Sequence, residues 1–310
     1  MVNGVVYFAT DRYTCALKAS TGALLWNYSA GASISFPVVF QDRLFISTNG
    51  TLLALNSNNG HIIWNYTNSR QFSSPALADG VVYVGSFDEN MYALNATTGD
   101  KIWNYFARDF HCAPSVVKGI VYAITSEGNI YAFDAIDGTK IWNYSIYDNW
   151  ATWQQDHFAI INNIVYARNG ADKLFALNAV SGVKVWNFTF GHFISAPTVV
   201  NDAIYLGSDN ALYSLRAHNG EIFWNYTIGT GFGSPVVVNG VAYVGAGGGP
   251  DDQEEQVYAI GLPFTPPELF PTNTPISATI ARILLIIVVV IILMVAIVSL
   301  LLYRRHQRNA

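Results

Sequence analysis

A tryptophan that returns every 38 to 44 residues, a glycine four residues ahead of it each time, and one long uncharged run near the C-terminus predict the fold class. The chain is expected to be all-β: a seven-bladed β-propeller of four-stranded blades with tryptophan-docking motifs, plus one C-terminal transmembrane α-helix. The docking positions are Trp26, Trp64, Trp103, Trp142, Trp186 and Trp224, preceded by Gly22, Gly60, Gly99, Gly138, Gly182 and Gly220. A unit of about forty residues with four short strands cannot bury both its faces alone, so copies must pack on one another. Sheets twist, and radial packing of such units gives a propeller rather than a flat stack.

The third unit shows the pattern. Ser74-Pro-Ala-Leu-Ala78 opens the first strand, and Asp79-Gly80 turns the chain. Val81–Ser86 is the second strand, Asp88-Glu-Asn90 the next hairpin tip, and Met91–Asn95 the third strand. Thr97-Thr-Gly99 turns again into Lys101-Ile-Trp-Asn-Tyr105. Gly and Asn supply positive φ at turns, while β-branched and aromatic residues fill strands. Each Trp is expected to pack between neighbouring blades, and each Gly to permit the tight turn before it.

Taken from the start, Val2-Asn-Gly-Val-Val-Tyr7 matches Val238-Asn-Gly-Val-Ala-Tyr243, so the chain enters at the second strand of a repeat. No charged segment followed by an apolar one precedes it, so no signal peptide is read. Seven second strands (through Tyr7, Phe45, Tyr83, Tyr122, Tyr166, Tyr205 and Tyr243) and seven third strands stand against six first and six Trp-bearing strands. Seven blades, the first without its innermost strand and the last without its outermost, is the preferred reading. The alternative is a longer, eight-bladed protein with further sequence upstream.

These repeats carry a resemblance. Ala-x-Asn/Asp-x-x-Thr-Gly-x-x-x-Trp, recurring six times with minor variation over nearly all of residues 1–262, resembles the docking motif of the pyrroloquinoline-quinone (PQQ) enzyme-type propeller repeat family. In repeat type the chain is similar to the propeller lipoprotein of bacterial outer-membrane assembly, but no lipid-attachment cysteine stands near its start. The resemblance also implies a rival: quinoprotein dehydrogenases, which use a vicinal cysteine pair and carboxylates on calcium in chains about twice this length. Here Cys15 and Cys112 are far apart, and no acidic pair is placed persuasively. Two packed thiols are expected rather than a disulfide.

Composition narrows the classes. With 51% apolar and 14% aromatic residues, 310 residues bury a large core. Net charge is −5; without Arg282, Arg304, Arg305 and Arg308, residues 1–281 hold 12 basic against 21 acidic residues, or −9. A nucleic-acid footprint is therefore not expected. Pro250-Asp-Asp-Gln-Glu-Glu255 lacks spaced calcium-loop order and reads as a solvated hairpin tip. No metal, cofactor or catalytic residue is expected.

One repeat is irregular. Trp142 to Trp186 spans 44 residues, with the excess around Trp150, Trp153 and His157. Connections from an outer strand to the next inner strand share one face of a propeller. The candidate binding funnel on that face is Arg70, Phe72, Arg108, Phe110, His111, Trp150, Trp153, His157, His192 and Phe193. Hairpin tips bearing Asp11, Arg12 and Arg168 are expected beside it. Arginines and aromatics there suit a protein segment, a carbohydrate or an anion, through bidentate hydrogen bonds and stacking. The plainer alternative is ordinary loop residues, with aromatics plugging the channel.

Seven sequons begin at Asn27, Asn49, Asn65, Asn95, Asn143, Asn187 and Asn225. Five follow a docking Trp directly and should point away from the neighbouring blade, on the outer rim. Past the propeller (1–262), residues 263–280 form a Pro-rich linker with Pro263, Pro266, Pro267, Pro271 and Pro275. The transmembrane helix is placed at 281–303: Ile283 to Tyr303 is 21 residues without a charge, about 31 Å of helix. Arg304, Arg305 and Arg308 in the tail 304–310 put that tail in the cytoplasm and the propeller outside.

The expected function is thus a non-enzymatic, membrane-anchored, extracytoplasmic propeller that binds or scaffolds a protein or glycan. A PQQ-dependent dehydrogenase or a lumenal or periplasmic sensor propeller is the alternative.

Overall fold

Two-residue turns with positive φ organise the chain. Asn3-Gly4, Asp79-Gly80, Lys118-Gly119, Asn162-Asn163 and Asn239-Gly240 all take φ between 48° and 76°. That geometry matches the twist of the flanking strands and closes the chain tightly at these five positions. The computed structural model describes residues 2–10, 12–31, 35–68, 70–110, 112–146, 158–169, 172–191, 193–208, 211–227, 233–246 and 256–261. The chain divides into two units, Met1–Leu262 and Pro263–Ala310, and every described residue lies in the first.

The described residues form seven antiparallel sheets, one per repeat, and no helix. Sheet 1 is β1 (Val5–Ala9), β2 (Tyr13–Lys18) and β3 (Leu24–Ser29); sheet 2 is β4 (Val38–Phe40), β5 (Arg43–Thr48), β6 (Thr51–Asn56) and β7 (Ile62–Thr67). Sheet 3 runs β8 (Ala76–Ala78), β9 (Val81–Gly85), β10 (Asn90–Asn95) and β11 (Lys101–Phe106). Sheet 4 follows with β12 (Ser115–Val117), β13 (Ile120–Ile124), β14 (Asn129–Asp134) and β15 (Lys140–Ser145). In sheet 5 stand β16 (Phe158–Ile161), β17 (Ile164–Arg168), β18 (Lys173–Asn178) and β19 (Lys184–Thr189). β20 (Thr198–Val200), β21 (Ala203–Gly207), β22 (Ala211–Arg216) and β23 (Ile222–Thr227) make sheet 6. Sheet 7 is β24 (Val236–Val238), β25 (Val241–Ala246) and β26 (Gln256–Gly261). The six first strands and six Trp-bearing strands match the count expected from the repeats.

Alternation along each strand serves two neighbours at once. In sheet 3, Tyr83, Met91, Ala93 and Trp103 pack forward against Val121, Ala123 and Phe133 of sheet 4. Val82, Val84, Tyr92 and Leu94 pack backward against Phe45, Leu52, Ala54 and Trp64 of sheet 2. The core therefore lies between sheets, in propeller fashion. A one-residue bulge precedes each docking Trp: Ala93 faces Trp103 but Leu94 faces Lys101, and the other outer strands repeat it. Such a bulge sharpens the local twist.

Each Trp crosses to the following sheet. The indole Nε1 of Trp26 donates to Ser57 O at 2.9 Å, Trp64 to Ala96 O at 3.1 Å and Trp103 to Ala135 O at 3.1 Å. Trp142 reaches Ala179 O at 2.8 Å and Trp186 reaches Ala217 O at 3.0 Å. Beneath each of these five rings lies the glycine of that next repeat. A Cβ on Gly60, Gly99, Gly138, Gly182 or Gly220 would come within 2.6–2.8 Å of the indole of Trp26, Trp64, Trp103, Trp142 or Trp186 respectively. The glycine does permit a positive-φ turn, as its sequence position implies. It also forms the floor of its neighbour's docking pocket, which the sequence did not disclose.

Cys15 in β2 is half-buried and Cys112 is buried; both are thiols. Among the described residues no helix is long and apolar enough to cross a membrane, and 281–303 lies outside them.

Candidate functional site

Loops from outer strands to the next inner strands meet the tips of second-to-third strand hairpins on one face. Ser73 N donates to Gly85 O at 2.8 Å, and Phe87 N donates to Gln71 O at 2.9 Å. Ser126 N donates to Asp109 O at 2.9 Å, and Ser195 N to Gly207 O at 2.8 Å. Backbone pairing of this kind fixes the loops where unpaired amides would otherwise be buried.

Arg70 and Arg108 stand exposed on two successive connections. Arg108 Nη1 pairs with Glu127 Oε1 at 2.7 Å across to the adjacent hairpin tip, with both side chains well exposed. Phe193 is 38% exposed, and the Arg168 guanidinium lies 5.1 Å from its ring centroid. That distance is in the cation–π range. Arg168 itself is 5% exposed, and its Nη1 donates to Ile194 O at 2.7 Å. Other repeats place Gly85, Gly207 or Gly245 at this strand position, so an arginine there was the available sequence signal.

Phe72 and Phe110 turn the other way. They are 3% and 0% exposed, so they do not line a funnel. Phe72 meets the rings of Tyr66 and Tyr92 at 6.3 and 6.0 Å, and Phe110 meets Tyr131 at 5.8 Å. Burying an aromatic between sheets outweighs leaving it on a loop surface. Gly85 makes room for Phe110: a Cβ there would sit 2.5 Å from the Phe110 carbonyl oxygen. His111, Trp150, Trp153, His157 and His192 lie outside the described residues, as does Asp11.

A polar cluster that the sequence reading did not single out joins the same face. Asn68 Nδ2 donates to Ser86 Oγ at 2.8 Å and to Asp88 Oδ2 at 3.0 Å, and Tyr92 OH donates to the same Asp88 oxygen at 2.6 Å. Burial first, then the Asp88 hydrogen bond and charge, push the Tyr92 phenol far up. Burial, then the Asp88 charge, also raises Tyr66. Both phenols thus stay protonated, and Tyr92 acts as a donor. Loops are tied together here; the arrangement holds no activated nucleophile.

Of the other expected groups, Asn27, Asn49, Asn65, Asn143, Asn187 and Asn225 are exposed and Asn95 is half-buried. Among the described residues no three of His, Cys, Asp and Glu come together around a metal position. Cys15 and Cys112 lie in different repeats. The described residues therefore do not fit the vicinal-cysteine and metal arrangement that a quinoprotein resemblance implies.

Comparison with known proteins bears on the fold. No curated protein sequence matches the chain. The crystal structure of BamB from Moraxella catarrhalis superposes with a TM-score of 0.65 at 22% identity, covering 78% of each chain. The quinohemoprotein alcohol dehydrogenase ADHIIG of Pseudomonas putida HK5 gives 0.62 at 16% identity, over 79% of this chain and 61% of that one. A europium-containing methanol dehydrogenase gives 0.65 at 14% identity, over 79% and 72%. At these identities the likenesses establish the propeller fold that binding proteins and enzymes share. The family described as outer membrane protein assembly factor BamB matches residues 11–154 and 148–250. With most of the repeat region so matched, the chain belongs to that family of PQQ-like repeat propellers.

Proposed function

We propose that this chain is a non-enzymatic, seven-bladed propeller that binds a protein partner on its loop face. Residues 281–303 hold it at a membrane, with the propeller outside and the tail 304–310 in the cytoplasm. One observation carries the binding assignment: Arg70, Arg108 and Phe193 are presented outward from connections held by backbone hydrogen bonds, with Arg168 packed beneath the Phe193 ring. Two forked guanidinium groups and an exposed ring suit a peptide segment rich in carboxylates and apolar side chains. The description of its family as an assembly factor supports a protein partner. The poor fit of the described cysteines and acidic residues to a quinone centre supports a binding role over an enzyme.

The test is crosslinking on intact membranes, followed by recovery of the full chain and its bound proteins. The double reversal Arg70→Glu and Arg108→Glu is expected to lower partner recovery at least about tenfold, as about 1.4 kcal/mol or more of interface energy is lost. Unchanged recovery from a folded double variant would remove this face as the binding site.

A further inference from the structure

Five of the six outer strands read Trp-Asn-aromatic-Ser/Thr: Trp26–Ser29, Trp64–Thr67, Trp142–Ser145, Trp186–Thr189 and Trp224–Thr227. Strand alternation places the Trp and the second aromatic toward the sheet interface, and the Asn and hydroxyl residue together on the opposite side. All five Asn and all five hydroxyl residues are exposed. Each of these strands is also the edge of its sheet, bonded to a neighbour on one side only.

The sixth copy is a built-in contrast. Trp103-Asn104-Tyr105-Phe106 occupies the same strand position, yet Phe106 replaces the hydroxyl and stands 69% exposed. There Asn104 Nδ2 donates to Asn90 Oδ1 at 2.9 Å. Asn95 differs as well. Its Oδ1 accepts from Thr97 N at 2.8 Å and Thr98 N at 3.0 Å, a turn cap that Asn56, Asp134 and Asn178 also form. The turn explains Asn95, whereas no local turn explains the five rim asparagines with a hydroxyl two residues on.

We infer that Asn27, Asn65, Asn143, Asn187 and Asn225 are N-glycosylation sites. The inference rests on the outward display of the propeller proposed above. The donor class is an oligosaccharide linked to a lipid pyrophosphate. The Asn Nδ2 forms a bond to C1 of the first sugar, the C1–O bond to phosphate breaks, the amide gives up one proton, and the lipid pyrophosphate departs. Glycans there would shield the free backbone groups of edge strands β3, β7, β15, β19 and β23. Edge strand β11 would stay bare, with Ile102 at 45% and Phe106 at 69% exposure on the rim.

The experiment is site-resolved glycopeptide mass spectrometry on the full chain recovered from the membranes of its own cells. Protease accessibility of the propeller on intact cells is measured in parallel. The expected result is glycan on all five rim peptides and none on the Asn104 peptide. Phe106→Thr should then add a sixth modified site at Asn104. Five bare rim peptides on a propeller that external protease digests would overturn the glycan inference and leave the display intact. Bare peptides on a propeller protected in intact cells would overturn both. A bare Asn104 in F106T beside five occupied sites would overturn rim position as the selecting feature.

Discussion

The glycine four residues before each docking Trp separates backbone freedom from packing, because the same residue type meets two environments. Gly138 has φ +75°, and a Cβ there would lie 2.6 Å from Cδ2 of Trp103. Gly22 has φ +70° but meets nothing within 4 Å. Gly22→Ala therefore faces only the left-handed backbone cost, about 1–2 kcal/mol. Gly138→Ala adds an overpacking cost of about 1–3 kcal/mol, because the indole is held by Ala135 O and has little room to retreat. Urea unfolding of the two variants should place G138A below G22A in midpoint with similar slopes. Equal midpoints would mean that the Trp pocket relaxes freely. The turn role of these glycines is legible in one repeat, but the pocket role involves a Trp 34 to 40 residues earlier. Periodicity alone gives no sign of that contact.

Between sheets, the second-strand tyrosines repeat the cross-sheet connection that the tryptophans make. Tyr83 OH donates to Ala135 O at 3.0 Å, Tyr122 OH to Ala179 O at 3.1 Å and Tyr166 OH to Ala217 O at 3.1 Å. The same carbonyls accept from Trp103, Trp142 and Trp186. Burial, then the charges of Asp79 and Asp134, push Tyr83 up to about 12; burial, then Asp202, push Tyr166 to about 12. A raised phenol value in the fold means that the protonated form is the stabilised one. Its contribution is whole below the ordinary value near 10, and it is lost as pH rises through about 12. Ionisation also removes the proton that bridges the sheets. Alkaline titration followed by tyrosinate absorbance and circular dichroism should show late-titrating tyrosines unfolding the protein between those two values. The double variant Tyr83→Phe and Tyr166→Phe should move that transition upward, and Phe45 already stands at the equivalent position in sheet 2. A transition unmoved in the double variant would assign alkaline unfolding to other groups. At this scale the strands, the turns and the packing of each Trp between neighbouring sheets were readable, since each unit repeats its own chemistry. The fate of Phe72 and Phe110 was not: a loop aromatic reads alike whether it faces solvent or folds under a neighbouring sheet.

The whole chain combines two solvents' worth of sequence. Every buried cluster among the described residues falls between Val5 and Ile260. The second unit, Pro263–Ala310, contains the 21 uncharged residues from Ile283 to Tyr303. In helical form those residues match a bilayer core of about 30 Å and would strand a large apolar surface in water. Arg304, Arg305 and Arg308 favour the side that retains positive charge. Chain 1–262 should therefore remain in solution without detergent and melt as the full chain does in detergent, because it keeps all of its inter-sheet contacts. The full chain should sediment with membranes and resist extraction by alkaline carbonate, which strips proteins held only by surface charge. Carbonate release of the full chain would remove 281–303 as a span. An aggregating 1–262 would instead show that the exposed faces of sheet 7, where Val236 and Val257 are 59% and 78% exposed, depend on a covering group.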